Sequence, residues 1–273
     1  MRYLKSVLLQ VVILVLVSLW LLPIYLMVLD GLKSTSSVLL TPILSPGGIS
    51  PSAFVSTACD LARPILNSLV VTVPVAAIGT YFGALAAFSF YRYTSKISDI
   101  LFSIIALATF VPFESVTLPL AKLIFSMNLF DSYLGLIFAF LIFYLPTGAL
   151  LMSIFLVSLP KPVLEAARAD GAGDWIVFNK VVLPLMMPGM ISTFIFIFIE
   201  VWNNFFIPLV LIKSPDMRTA TLAAMRYIGG MGVLYNDTFA ASFIISLVPL
   251  LVFIFTGKYF IRGLLVIGGG TKG

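Results

Sequence analysis

Leu159-Pro-Lys-Pro-Val-Leu-Glu-Ala-Ala-Arg-Ala-Asp-Gly-Ala-Gly-Asp174 is a polar interval in a chain that is apolar on both sides of it. Pro162 suits a first helical turn, Glu165-Ala-Ala-Arg-Ala supplies strong helix formers, and Gly171 supplies a C-terminal stop. These signals predict a helix of about two to three turns. Asp174 is then placed to cap a second helix, Trp175 to Val182, that runs through Leu183-Pro184 into an apolar stretch. The expected product is an elbow outside the bilayer whose two ends continue into membrane helices. A push on such an elbow tilts both.

The flanks establish the membrane. Of the 273 residues, 61% are hydrophobic and 10% charged, against roughly 25% charged in an ordinary soluble domain, so too little polar side chain is available to coat a water-facing surface. A helix needs about 20 apolar residues to cross a hydrocarbon core. Six expected spans follow, at approximately 7–29, 65–91, 100–121, 132–160, 185–212 and 238–257. Glu114 and Glu200 are the acidic residues inside them, and Pro74, Pro112, Pro119, Pro146 and Pro249 are tolerated where neighbours re-satisfy the freed carbonyls. The expected fold is all-α, a polytopic membrane protein with six transmembrane helices, forming a single domain over 1–273. Its polar elbow lies between helices 4 and 5. The first span follows Arg2 and Lys5, but its long apolar run and the lack of a small-residue cleavage site mark it as a retained helix.

Six spans put both termini on one side. Lysine and arginine divide ten to six between the two faces, the larger set holding the termini and the elbow, so both are expected in the cytoplasm. This leaves Asp30 to Pro64, Lys122 to Asp131 and Lys213 to Asp237 outside. The net charge of +5 is scattered between apolar runs and forms no nucleic-acid patch. Cys59 is the only cysteine and there is no histidine, which excludes an internal disulfide and argues against a metal site or a histidine-based triad. No Gly-x-x-x-x-Gly-Lys-Ser/Thr phosphate loop is present, so the chain is not expected to hydrolyse ATP or to act as an enzyme.

Glu165-Ala166-Ala167, Asp170-Gly171-Ala172 and Val181-x-Leu183-Pro184 resemble, at unbroken spacing, the EAA motif of binding-protein-dependent ABC importer permeases. Leu129-Phe-Asp-Ser-Tyr-Leu-Gly-Leu136, Trp202-Asn-Asn-Phe-Phe-Ile-Pro-Leu209 and the ending Tyr259 to Gly273 resemble the carbohydrate importers of the maltose and glycerol-phosphate type. The tail departs at Gly269-Gly-Thr-Lys-Gly273, where that family usually has Gly-Ala-Val-Lys-Gly. The resemblance implies a prokaryotic plasma-membrane permease whose elbow seats in an ATPase subunit as a coupling helix. Implied partners are a second homologous permease, two ATPase subunits carrying ATP and Mg, an extracytoplasmic solute-binding protein and membrane lipid. No cofactor is expected in this chain. In that frame Glu165 pairs with the ATPase, Ala166 and Ala167 permit close packing, and Gly171 permits the sharp turn.

A carboxylate inside a span should face protein or water. Helical spacing puts Glu200, Asn203 and Asn204 roughly on one face, where they could line a sugar path, with Trp202 nearby but pointing elsewhere. Glu200 or Glu114 bonding a neighbouring helix or partner permease is the alternative. Two further readings stay open: an ion-coupled secondary transporter using Glu114 and Glu200, and an importer permease for a non-sugar solute.

Overall fold

A computed structural model describes residues 2–228 and 234–269. The end of the expected tail, 270–273, and residues 229–233 of the expected segment Lys213 to Asp237 lie outside the described residues. In chain order the α-helices are α1 (Arg2–Gly31), α2 (Thr35–Leu40), α3 (Ser52–Arg92), α4 (Lys96–Ala108), α5 (Phe113–Ser126), α6 (Tyr133–Val157), α7 (Lys161–Ala169), α8 (Asp174–Val177), α9 (Leu183–Leu185), α10 (Met187–Asn203), α11 (Phe206–Leu211), α12 (Ala220–Ala224) and α13 (Tyr235–Gly269). The fold is all-α. Among the described residues, four segments are long and apolar enough to cross a bilayer: Lys5–Gly31, Ser52–Arg92, Tyr133–Val157 and Tyr235–Lys258. Two bent helix pairs raise the number to six if each is one span.

The bends depart from the expected spans, and each has a local cause. The third expected span, 100–121, is α4 and α5 meeting at 102°. Pro112 lacks an N–H and biases Val111 away from helical backbone, so the ladder stops between Ala108 and Phe113. Glu114 therefore stands in the first turn of α5, where the positive end of the helix dipole favours a carboxylate, and not at mid-helix. The fifth expected span, 185–212, is entered through a 77° bend before α10. It ends at Asn203, because Asn204 is extended (φ −74°, ψ 117°) and α11 begins afresh.

The second expected span also starts earlier than its apolar run suggests. Pro64 is an interior residue of α3, so Ser52 to Pro64 is helix and not a free connector.

The described residues form two compact units, one of Met1–Arg63 with Ala223–Val248, the other of Pro64–Leu222 with Pro249–Gly273. In the first, α1 is apolar all round and its residues 5–25 are all exposed. The loop after α1 is ordered around a buried cation. The Lys33 ammonium lies 2.6 Å from Asp30 and donates to the carbonyls of Pro42 and Ile43 at 3.2 and 3.3 Å, with its side chain wholly inaccessible. Each partner neutralises what would be a costly buried charge in the other.

In the second unit, α3 and α6 cross on small residues. A Cβ added at Gly148 would collide with the Gly79 carbonyl, and one at Gly83 with the Gly148 backbone. Neither obstacle can rotate away. Such backbone-to-backbone approach is a common way for membrane helices to gain packing contact.

Candidate functional site

The elbow is built on one apolar anchor and one turn. Leu164 of α7 is 1% exposed and packs with Ala84, Ala87 and Phe88 of α3, Met152, Phe155 and Leu156 of α6, and Val177, Phe178, Val182 and Met186 beyond the turn. Glu165 and Ala166 point away from this cluster and are exposed, while Ala167 is half-buried against it. Asp170 and Gly171 are exposed at the apex. Gly171 has φ +78°, and the Ala172 N–H donates to the Ala167 carbonyl at 3.3 Å. That is the Schellman closure, with glycine at the left-handed position and Ala167 and Ala172 both packed against the apolar cluster. The polar tip is presented and the apolar base is fixed.

Beyond the turn the structure differs from the expected second helix. Gly173, not Asp174, stands at the N-cap of α8 and makes no side-chain cap. The Asp174 carboxylate turns instead to the end of α3, accepting from Arg92 Nε at 2.8 Å and from the Tyr93 hydroxyl at 2.7 Å. The hydrogen bond to Asp174, and next its charge, hold the Tyr93 phenol above its ordinary pKa. After α8 comes a π-helical turn, Phe178–Val182, in which the Leu183 N–H reaches the Phe178 carbonyl. Pro184 follows it, exposed in the first turn of α9. A proline ring clashes with the carbonyl four residues before it, so the widened turn ahead of Pro184 relieves that contact.

A second feature lies in the same unit. A cavity of about 440 Å³ is lined by the Ala108–Pro112 break, by Phe113 and Glu114 of α5, by Phe143, Tyr144 and Thr147 of α6, and by Phe196 and Glu200 of α10. Glu114 and Glu200, 86 positions apart in sequence, thus share one wall of polar chemistry in an aromatic setting. Asn203, exposed, is not among the lining residues. Asn204 is buried and its Oδ1 accepts from the Ile207 N–H at 3.0 Å, which starts α11. Trp202 is 1% exposed and stacked on Phe198, centroids 5.8 Å apart and planes 10° from parallel. The expected face of Glu200, Asn203 and Asn204 is therefore broken by the helix end, and Glu200 keeps a cavity position. Sequence reasoning missed Arg92, Tyr93 and Tyr144. For Tyr144 and Thr147 a signal existed, two polar groups three positions apart on an apolar helix.

Residues 79–264, which include the elbow, the cavity and α10, match the family described as "Binding-protein-dependent transport system inner membrane component". The chain belongs to this family. It is thus a multi-pass inner-membrane permease. Among its relatives it is 53% identical to the "Glucose import system permease protein GlcU" of Saccharolobus solfataricus, over 93% of this chain and 91% of that one. It is 29% identical to the "Arabinooligosaccharides transport system permease protein AraQ" of Bacillus subtilis, over 93% and 92% of the two chains. Its fold is similar to a chain in the crystal structure of a bacterial ABC transporter involved in the import of the acidic polysaccharide alginate, with a TM-score of 0.78 at 20% identity and 94% and 96% coverage.

Proposed function

We propose that this permease is the membrane subunit of an ATP-driven importer for a sugar, working as one domain over 1–273 with both termini in the cytoplasm. The observation that carries the cargo class is the 53% identity to a glucose import permease along 93% of the chain. The elbow geometry supports the coupling role. Its exposed Glu165, Ala166, Asp170 and Gly171 meet an ATPase subunit, and its buried base transmits movement to α3 and α6. Two such ATPase subunits bind ATP and Mg, a second permease completes the path, and a solute-binding protein delivers sugar from outside. No step of hydrolysis falls to this chain. The cavity of Glu114 and Glu200 is the sugar's station within it. An ion-coupled transporter would also use that cavity, but would leave the elbow without a task.

The test is ATPase activity of the co-expressed complex in liposomes, with its binding protein and a panel of sugars. A severalfold rise with sugar, dependent on the binding protein, is the expected result. Uptake that follows an ion gradient in the absence of ATP hydrolysis would overturn the proposal.

A further inference from the structure

We infer that the cavity between the α4–α5 break, α6 and α10 selects by charge: it accepts uncharged pyranoses and rejects sugars that carry a carboxylate or phosphate. The inference rests on the proposed sugar path and adds to it a rule about which sugars pass.

The two ionisable acids of the cavity wall, Glu114 and Glu200, are both exposed to the cavity, and no lysine or arginine is among the lining residues. A carboxylate accepts hydrogen bonds from sugar hydroxyls, whereas it repels a second anion at close range. Tyr144 supplies an independent sign that the wall is built to receive a polar guest. Its side chain is nine-tenths buried and lines the cavity, and among the described residues its hydroxyl makes no hydrogen bond. The hydroxyl itself is not a sealed-off donor; it is accessible in the cavity, where a ligand oxygen can accept from it in place of water. Phe113, Phe143 and Phe196 add flat apolar surface against which the C–H face of a pyranose can lie. The volume, about 440 Å³, falls within the range of roughly 300–1,000 Å³ usual for small-molecule sites. Rejection by an unpaired like charge is a general way of obtaining specificity that attraction alone does not provide.

The charge rule distinguishes this cavity from any that must pass an acidic saccharide, for which a cation in the wall is the simplest provision. It applies to the permease itself, so it must hold when the solute-binding protein is absent.

D-Glucose and D-glucuronate form a matched pair, since they differ at one carbon, a hydroxymethyl group against a carboxylate. Binding of each to the purified full complex in nanodiscs, without the binding protein, is followed by saturation-transfer NMR at neutral pH. The wild-type complex should bind glucose at least tenfold more tightly than glucuronate. In the Glu114→Gln/Glu200→Gln double variant that ratio should fall below about threefold, with each single variant between. Glutamine keeps the size and the acceptor oxygen, and both positions are exposed, so assembly should be retained; either single variant serves if the double one does not assemble. Equal binding of both sugars by the wild type, or a ratio unchanged in every assembled variant, overturns the charge rule while leaving the importer reading intact. A complex whose ATPase responds to sugar but which binds neither compound overturns the cavity as a sugar station. A complex with no sugar-dependent ATPase at all defeats the importer reading instead.

Discussion

Gly171 is needed for its backbone and not for its size. Its φ of +78° lies in the left-handed region, yet a Cβ built there would touch nothing within 4 Å. Strain in that region costs an ordinary L-residue roughly 1–2 kcal/mol, less for asparagine and most for a β-branched side chain. Gly171→Val should therefore reduce sugar-stimulated ATPase activity about tenfold at unchanged assembly, while Gly171→Asn keeps at least half. Full activity in the valine variant would show that the turn is not required. Asp131 makes a different kind of demand. The Ser214 hydroxyl, then the Ser214 and Lys213 amides, bond its carboxylate and hold its pKa below the ordinary value. A depressed folded pKa contributes stability that is complete above the unfolded value of about 3.9 and is lost as pH falls through the folded one. Asp131→Ala should thus lower the melting temperature of the detergent-solubilised protein at pH 7, and the difference should shrink below about pH 4. A difference independent of pH would mean that the charge is irrelevant there.

At the scale of elements, the joint that matters is between the elbow and α3. Arg92, which ends that helix, and Tyr93 just after it grip Asp174, which begins α8. The pair is about one-third exposed on each side, so its contribution to stability is small, on the order of 0–1 kcal/mol. What it does is tie the elbow to the end of α3, so that in the proposed coupling the two are expected to move together. Asp174→Asn should leave the melting temperature within a few degrees of wild type but lower the sugar transported per ATP hydrolysed, and the exchange Arg92→Asp with Asp174→Arg should recover part of it. Equal transport per ATP in Asp174→Asn would remove the joint from the coupling path. This element was half legible in the sequence. Glu165 to Gly171 could be read because helix formers and a glycine stop are local signals. The partner of Asp174 stands 82 positions away, and no local pattern announces it. Proline likewise did not reveal the break at Pro112, because Pro64, Pro74 and Pro146 sit inside continuous helices. Whether a proline breaks a helix depends on what surrounds its freed carbonyl, which is tertiary information. Helical spacing already turned Trp202 away from Glu200, but what it turns toward, a stack on Phe198 in the core, is tertiary information too.

For the whole molecule, the deciding question is which way it faces, because an elbow on the wrong side of the membrane cannot meet an ATPase that draws on cytoplasmic ATP. Composition made the membrane character plain, and the excess of lysine and arginine on the face with the elbow is the sequence's argument for the proposed orientation. The chain carries its own reporter. Cys59 is its single cysteine, it is exposed on α3, and it belongs to the segment expected outside. Gly173 offers a matching position on the elbow. It has φ −66°, which any residue adopts, and nothing lies within 4 Å of an added Cβ. In intact cells a membrane-impermeant maleimide should label the wild-type protein at Cys59 and should fail to label a Cys59→Ser/Gly173→Cys variant until the membrane is opened. The opposite pattern, with the elbow cysteine labelled from outside and Cys59 protected, would invert the topology. The same reagent reads both proteins, and labelling of each after the membrane is opened shows that its cysteine is present and reactive. An inverted result would therefore leave the helices where they are but remove the ATPase as the elbow's partner, and with it the reason to regard Glu165 and Gly171 as parts of a motor linkage.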